Sequence, residues 1–366
     1  MVGSSRRAQG RPRLAVFLAI ALVTLGMEPS AGSPNPAGTG GGATTAGVAP
    51  TADRAAPPPG SAPTDCTGSR RSDRPVAEFP DPPPAPPYKV TAYTIRTLAR
   101  SALPYVGTGR PTKVPPGLHD ADGLPMKRVG TQLYYGPAGL AQYGIIYEDA
   151  YRRTGDPDYL AIARKVMNKL MALGVESNGG VFIQYRFNYP LHQISTEVMK
   201  APWYSAMAQG ISLSLAVRLC QDTGEEVFKT DADLLFASMN QLGRGSSPWV
   251  TYVAAGYVWL EEYPEPTTPS DHTANGFNFA LFGLYDYYQE TKDPAALQLL
   301  QGSLTTMRHY ISAYRRPGTY SKYCLRHGRP QPKYHKIVTW QLVYLYKISG
   351  DPYFLSMSKL FTSDYH

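Results

Sequence analysis

The order of hydrophobic and polar positions predicts a run of helices between residue 136 and the C-terminus. Four segments are apolar on more than one face and rich in Ala, Leu, aromatic residues and Gln, as buried helices are: 136–153, 204–221, 276–290 and 335–348. A segment with a single apolar face follows each of them, which predicts a more exposed partner helix. The pattern therefore predicts four pairs of one inner and one outer helix.

A short motif recurs at the junction inside each pair. TGDP (154–157), TGEE (223–226), TKDP (291–294) and SGDP (349–352) each combine a turn with an acidic or proline-bearing first helical turn. Recurrence every roughly 60–70 residues indicates a repeated supersecondary unit. We therefore expect a mainly α fold, an (α/α) toroid of about four helical hairpins, in preference to the open solenoid that the same repeat can also build.

Two stretches interrupt the helical pattern. Apolar residues alternate in GGVFIQYRFNYPLHQ (179–193), which predicts one or two strands before the second inner helix. VTYVAAGYVWLEEYP (250–264) predicts a comparable pair before the third. We expect small β-hairpin insertions at the mouth of the toroid.

The N-terminal quarter of the chain has a different composition. An arginine-rich start precedes the apolar run 14–26 and then small residues, the order found in a secretory signal. The run is shorter than the about 20 residues that span a bilayer. We assign 1–32 to a signal peptide, with an uncleaved N-terminal membrane anchor as the alternative, and expect a protein that is secreted or anchored outside the membrane. The Pro/Ala/Gly-rich residues 33–87 predict a disordered linker, which leaves 88–366 as the folded domain.

The charge and the cysteine content limit which kinds of ligand and metal the protein is expected to bind. The formal net charge of +8 suits an acidic polymer, whereas the absence of a Lys/Arg-rich run argues against nucleic acid. Three cysteines without a CxxC spacing predict neither a metal site nor a disulfide framework, although a Cys220–Cys324 bridge is compatible with an oxidising compartment. The chain has no nucleotide-binding fingerprint or GxSxG motif, so we expect no cofactor.

The loops that enter the inner helices carry aromatic and cationic side chains. Aromatic faces suit the apolar faces of sugar rings, Arg326 suits a carboxylate, and helix N-termini favour an anionic group. Such a cleft predicts an acidic saccharide as ligand. The adjacent Glu261 and Glu262 should point to opposite sides of an extended segment. His327 and His335 match no familiar zinc spacing, so we expect no metal.

Taken together, these loops resemble the C-terminal catalytic domain of D-glucuronyl C5-epimerases, enzymes that invert glucuronate to iduronate in heparosan-type chains. The resemblance rests on YRFNYP, KAPWYSAMAQG, WLEEYP, NGFNFALFGLYDYY, YSKYCLRH and KYHKIVTWQLVYLYKISGDPYF. It runs in order from LAQYGIIYEDAYRRTGDP to the end of the chain. It implies an (α/α) toroid, in agreement with the helical repeat.

The resemblance also implies roles for individual residues. Its proposed catalytic residues fall on Tyr263, Tyr323, Tyr334 and Glu262. The substrate-binding residues that we expect are Arg326, His335, Trp203, Tyr204, Asn275, Tyr185 and Arg186. Cys324 stands where the family pattern has Asp, and the second His that often follows the Tyr-His pair is replaced within 336–341.

The implied reaction removes the C5 proton of a uronate and returns a proton to the opposite face. Tyrosine can exchange protons at neutral pH if its pKa falls from about 10, and we expect nearby Arg326, Lys322 and Lys336 to lower it. A uronate polysaccharide lyase on the same fold and a non-catalytic acidic-glycan-binding domain are the alternatives. The sequence is also compatible with a homodimer.

Overall fold

The computed structural model describes residues 84–105, 107, 110–114, 116–244, 247–264 and 270–365. The predicted signal peptide and most of the predicted linker lie outside the described residues. Within these ranges the chain forms eight α-helices: α1 (Pro137–Thr154), α2 (Pro157–Ala172), α3 (Ala206–Thr223), α4 (Glu226–Met239), α5 (Ala274–Thr291), α6 (Pro294–Tyr314), α7 (Pro332–Ser349) and α8 (Pro352–Asp364). Consecutive helices pack as four hairpins, which confirms the predicted mainly α architecture.

The repeated motif is the connection within each hairpin. Gly155, Gly224 and Gly350 end α1, α3 and α7 in the left-handed region, with φ of 71°, 68° and 77°. Glycine adopts this conformation without the steric cost of a Cβ. In three of the hairpins an aspartate carboxylate then accepts a backbone N–H of the outer helix, and proline occupies its first turn; these caps are Asp156, Asp293 and Asp351.

The inner helices lie side by side in chain order. α3 packs between α1 and α5, and α5 in turn contacts α7, in the arrangement of an (α/α) toroid. α1, α3 and α5 are buried around most of their circumference, whereas the outer helices bury one face. α3 and α5 approach each other closely, since a Cβ on Gly283 would lie 2.1 Å from the Gly210 carbonyl oxygen.

Four two-stranded antiparallel hairpins accompany the helices: β1 (Lys127–Val129) with β2 (Gln132–Tyr134), β3 (Gly174–Ser177) with β4 (Gly180–Ile183), β5 (Tyr189–Pro190) with β6 (Val198–Met199), and β7 (Thr251–Ala254) with β8 (Tyr257–Leu260). The hairpins between α2 and α3 and between α4 and α5 confirm the predicted strand insertions. The β1–β2 hairpin was not predicted, because its strands are short and largely exposed.

The segment before α1 crosses the end of the bundle where the inner helices finish. The Arg96 amide donates to the Ile348 carbonyl at the end of α7, and the Leu98 amide donates to the Tyr285 hydroxyl of α5. Below this segment a buried ion pair joins Arg218 of α3 to Asp286 of α5 at 3.1 Å. No helix in the described part of the chain is long and apolar enough to cross a membrane.

Candidate active site

Three entry segments meet at the opposite end, where the inner helices begin. The Ala206 amide at the start of α3 donates to the Glu261 carbonyl (2.7 Å), which directly follows β8. The Ala274 amide at the start of α5 donates to the Tyr323 carbonyl in the loop before α7 (3.3 Å). These bonds hold the two tyrosine-bearing loops against neighbouring helix starts. They also occupy amides that we expected to bind an anion.

Glu261 and Glu262 point to opposite sides of the chain, as their adjacency predicts. The Glu261 carboxylate accepts the His272 amide (3.2 Å) and holds the loop that leads into α5. Glu262 instead accepts the Tyr323 hydroxyl at 3.3 Å. Glu261 therefore has a structural contact, and Glu262 belongs to the tyrosine cluster.

The structure brings together all four predicted catalytic side chains. The Tyr263 and Tyr323 hydroxyl oxygens are 3.1 Å apart, and Tyr323 connects this pair to Glu262. The Tyr334 ring packs against Tyr323 with a centroid distance of 4.4 Å. Tyr263 and Glu262 are 1% and 3% exposed, so their polar groups interact with protein rather than with bulk water.

A cavity of about 160 Å³ opens above this cluster. It is lined by Tyr189, Pro190, His192, Gln193, Tyr323, Cys324, Arg329, Gln331 and Tyr334. Tyr323 and Tyr334 therefore face the cavity. Tyr263 lies one layer deeper, where it lines a smaller void together with Glu262 and Trp203.

Burial controls the ionisation of these groups. It raises the pKa of Glu262 to about 7, because the buried carboxylate loses hydration. Burial, together with the nearby Glu262 charge, raises the pKa of Tyr263 and Tyr323 well above 10, and the pKa of Tyr334 is raised for the same reasons. The expectation that nearby cations lower these phenol pKa values is therefore wrong.

Arg326 and His335 do not line the cavity. The Arg326 guanidinium lies 3.4 Å from the Glu197 carboxylate. The His335 ring accepts the Ser321 amide at Nδ1 (2.9 Å) and donates from Nε2 to the Phe361 carbonyl (3.0 Å). Both ring nitrogens are thus satisfied by backbone, which gives His335 a structural contact, and its expected contact with substrate stays a prediction.

The remaining predicted binding residues surround the cluster rather than the cavity. Trp203 and Tyr185 stack with centroids 3.8 Å apart, and Trp203 lies 6.0 Å from Tyr263, so they form a buried aromatic layer under it. Tyr204 is buried against Phe182. Asn275 is fully buried in the first turn of α5. Arg186 is exposed and donates to the nearby Gln184 side chain (3.1 Å).

One cation lines the cavity and a second lies beside the lining residue Tyr189; neither was predicted from the sequence. Arg329 lines the cavity directly and reaches the His192 carbonyl (3.4 Å). The Lys127 ammonium on β1 lies 4.6 Å from the centroid of Phe187 and 5.8 Å from that of Tyr189. It is buried and has no hydrogen-bond partner among the residues that the structure describes. Desolvation lowers the pKa of Lys127. An unpaired buried cation of this kind is suited to an incoming carboxylate.

Four side chains with metal-ligating atoms also converge beside Tyr323. His192, Asp271, Cys324 and His327 place one ligand atom each within 4.8 Å of one another. Cys324 is a free, buried thiol, so the bridge between Cys220 and Cys324 is not formed. This cluster was not predicted from the sequence, because its members come from three separate loops. The CxxH spacing of Cys324 and His327 was the only local signal.

The protein is built of helical hairpins, and its cleft places tyrosine hydroxyls above a buried carboxyl group. These groups are suited to proton transfer. Residues 179–363, half of the chain, match the family described as D-glucuronyl C5-epimerase C-terminus. The chain belongs to this family.

Individual proteins also align with parts of this chain. The D-glucuronyl C5-epimerase of Caenorhabditis elegans is 36% identical over 94 residues, which cover 25% of this chain and 14% of the relative. Among solved structures, a sugar epimerase from a ruminal bacterium aligns with a TM-score of 0.45 and 12% identity, over 62% of this chain and 58% of that one. A D-mannose isomerase aligns with a TM-score of 0.45 and 12% identity, over 68% and 64%. Structural similarity at these TM-scores and identities says nothing about the substrate or the mechanism of this protein.

Proposed function

We propose that this protein is an epimerase that inverts C5 of D-glucuronate residues to L-iduronate in an acidic polysaccharide of heparosan type. The observation that carries the proposal is the buried Glu262–Tyr323–Tyr263 chain of hydrogen bonds directly beneath a cavity that Tyr334 also lines. Membership of a family named for C5 epimerisation supports the same reaction.

The reaction first needs a stabilised carbanion. C5 of a uronate is α to the carboxylate, so loss of its proton places charge on the carboxylate oxygens. Cations aimed at those oxygens stabilise the transition state most when they are already in place. Arg329 at the cavity and the unpaired Lys127 beside Tyr189 are the groups that we assign to this task.

Tyr323 and Glu262 together form the base. In our proposal the Tyr323 oxygen takes the C5 proton while its own proton moves to the Glu262 carboxylate, 3.3 Å away. This relay avoids a free phenolate, which the raised pKa of Tyr323 disfavours. Glu262 can accept the proton near neutrality because burial raises its pKa to about 7. Tyr263, bonded to Tyr323 but below the cavity, orients the Tyr323 hydroxyl.

Inversion requires a second proton donor on the other face of the ring. Two groups that each approach C5 to about 3 Å from opposite sides lie about 6 Å apart. The Tyr263 and Tyr323 oxygens are only 3.1 Å apart, so these two cannot flank the ring in this arrangement. We therefore assign the opposite face to Tyr334, which also faces the cavity. Its ring now packs against that of Tyr323 with centroids 4.4 Å apart, so the proposal requires the two phenols to separate when the sugar ring enters between them.

The Tyr334 hydroxyl protonates C5 while solvent in the cavity supplies a proton to the Tyr334 oxygen, so that no free phenolate accumulates. Glu262 then passes the proton that it accepted back through Tyr323 to solvent, which restores the site.

The test is NMR of heparosan-type and other glucuronate polymers incubated with the protein in deuterated water. We expect deuterium at C5 and iduronate signals without chain cleavage. Tyr334→Phe should abolish inversion, whereas Tyr288→Phe, near the far end of α5, should leave it unchanged. A 4,5-unsaturated product absorbing in the ultraviolet would favour a lyase. Salt-sensitive glycan binding without deuterium uptake would favour the binding domain.

A further inference from the structure

We propose that His192, Asp271, Cys324 and His327 form a zinc-binding site next to the phenol cluster. His192 Nε2 lies 2.9 Å from both Asp271 carboxylate oxygens, and His327 Nδ1 lies 2.9 Å from one of them. The Cys324 sulfur is 3.6 Å from His192 Nε2 and 3.4 Å from His327 Nδ1. Two imidazoles, one carboxylate and one thiol thus point at a common centre.

The nitrogen–sulfur separations match those of a tetrahedral metal site. Zinc bonds of about 2.0 Å to nitrogen and about 2.3 Å to sulfur imply nitrogen–sulfur distances of about 3.5 Å. The two nitrogen–sulfur distances, 3.6 and 3.4 Å, lie on either side of that value. The nitrogen–oxygen distances of 2.9 Å are a few tenths shorter than a shared metal requires, and the four ligand atoms spread over as much as 4.8 Å. Asp271 must therefore move outward, and the more distant ligands must close in, to coordinate the ion.

The donor atoms select the metal. A thiol together with two imidazoles favours a transition metal over calcium or magnesium, which prefer oxygen ligands. Cys324 and Asp271 are fully buried, and a doubly charged zinc ion would be neutralised there by one thiolate and one carboxylate. Four protein ligands complete the coordination of zinc and leave no position for substrate, as in structural sites.

An outer layer of contacts supports the same assignment. His327 directs Nδ1 into the cluster and places Nε2 2.9 Å from the Glu197 carboxylate. Metal-bound histidines commonly donate their second N–H to a carboxylate, which fixes the tautomer and the ring orientation. Arg326 lies 3.4 Å from the same carboxylate and compensates its charge. This gives Arg326 a role in holding the site, in place of the predicted contact with substrate.

The location suggests what the ion does. Cys324 directly follows Tyr323, and Asp271 lies in the loop that Glu261 holds at the start of α5. The His192 ring meets the rings of Tyr323 and Tyr263 edge-on, with centroids 5.1 and 5.9 Å away. Zinc would tie the three entry loops together and fix Tyr323 against Tyr263. The four ligands are positioning residues in this proposal.

The test uses the full chain and does not depend on epimerase activity. Elemental analysis of the purified protein should find about one zinc per chain, and a chelator should remove it. Returning zinc to the stripped protein should raise the midpoint of thermal unfolding by several degrees, because the ion binds the folded state. Cobalt in its place should give the near-ultraviolet charge-transfer band of a thiolate ligand. Cys324→Ala should abolish that band and the stoichiometric zinc.

A matched control is His119→Ala, which removes an exposed histidine outside the cluster and should leave zinc content unchanged. The proposal is overturned if the stripped wild-type protein neither binds zinc nor gains thermal stability from it. Full zinc content in both Cys324→Ala and His327→Ala would overturn it as well, as would binding of calcium instead of zinc. If the cysteine variant does not fold, the zinc titration and the cobalt spectrum of the wild-type chain decide.

Discussion

Replacing Glu262 by Gln should make the stability of this protein less sensitive to pH. Burial raises the pKa of Glu262 to about 7, whereas an unfolded chain holds a glutamate near about 4.3. The Gln side chain has nearly the same shape and keeps an oxygen that accepts the Tyr323 hydroxyl. The substitution therefore removes the ionisation with little change in packing.

The sign follows from proton binding. Between pH 4.3 and 7 the folded state keeps the Glu262 proton while the unfolded state has lost it, so the folded state binds more protons and its stability falls as pH rises. The effect is absent below about pH 4.3 and complete above about pH 7. At about 1.4 kcal/mol per pKa unit, the gap between the folded and unfolded pKa values amounts to about 4 kcal/mol over the whole range. The Glu262→Gln variant does not lose this stability as the pH rises.

Urea unfolding of both proteins at pH 5, 6, 7 and 8 measures the effect. The free energy of unfolding of the Gln variant minus that of the wild type should grow by about 2–3 kcal/mol from pH 5 to pH 8. Other titrating groups, including Glu261, cancel in this difference. Glu226→Gln, on the exposed face of α4, should give a difference of less than about 0.5 kcal/mol. A difference for Glu262→Gln that stays constant across pH would refute the raised pKa.

Three further outcomes follow from the structure. The rate of C5 proton exchange should rise with pH through about 7, since Glu262 must be ionised to accept a proton, and a flat profile would contradict the relay. Gly283→Ala should lower the free energy of unfolding by about 2 kcal/mol or more, because its Cβ meets the neighbouring backbone at 2.1 Å. In the control Gly139→Ala the new Cβ has no neighbour within 4 Å, so the free energy of unfolding should fall by less than about 1 kcal/mol. Arg218→Met should lower the free energy of unfolding, measured in urea, by about 3–5 kcal/mol, because it leaves Asp286 buried and unpaired. A decrease below about 1 kcal/mol would show that the ion pair contributes little to stability.

The helical architecture could be predicted from the sequence because neighbouring residues encode it. The apolar periodicity predicts each helix. The repeated Gly-Asp turn predicts that a glycine in the left-handed conformation ends one helix and that an aspartate caps the next. The β1–β2 hairpin escaped prediction because its exposed strands carry too short a pattern. Which inner helix contacts which was implied only by chain order.

The site could be predicted in part. The family resemblance singled out Glu262, Tyr263, Tyr323 and Tyr334. Their segments stand at equivalent positions at the starts of inner helices, and the fold brings these segments to one end. Their ionisation was not predictable. Whether a phenol is desolvated or stands beside a cation depends on burial, and burial raises the pKa of Tyr263 and Tyr323.

The sequence by itself determined the helical hairpins, their connecting turns and the aromatic loops, since periodicity, capping and turn chemistry act between residues a few positions apart. Only the tertiary structure decided which polar groups pair. His192 meets Asp271 across 79 residues and Cys324 across 132, while His335 turns to backbone partners within the core. Such contacts depend on how loops from different hairpins pack. A pattern of neighbouring residues therefore cannot predict which of these side chains lie close together.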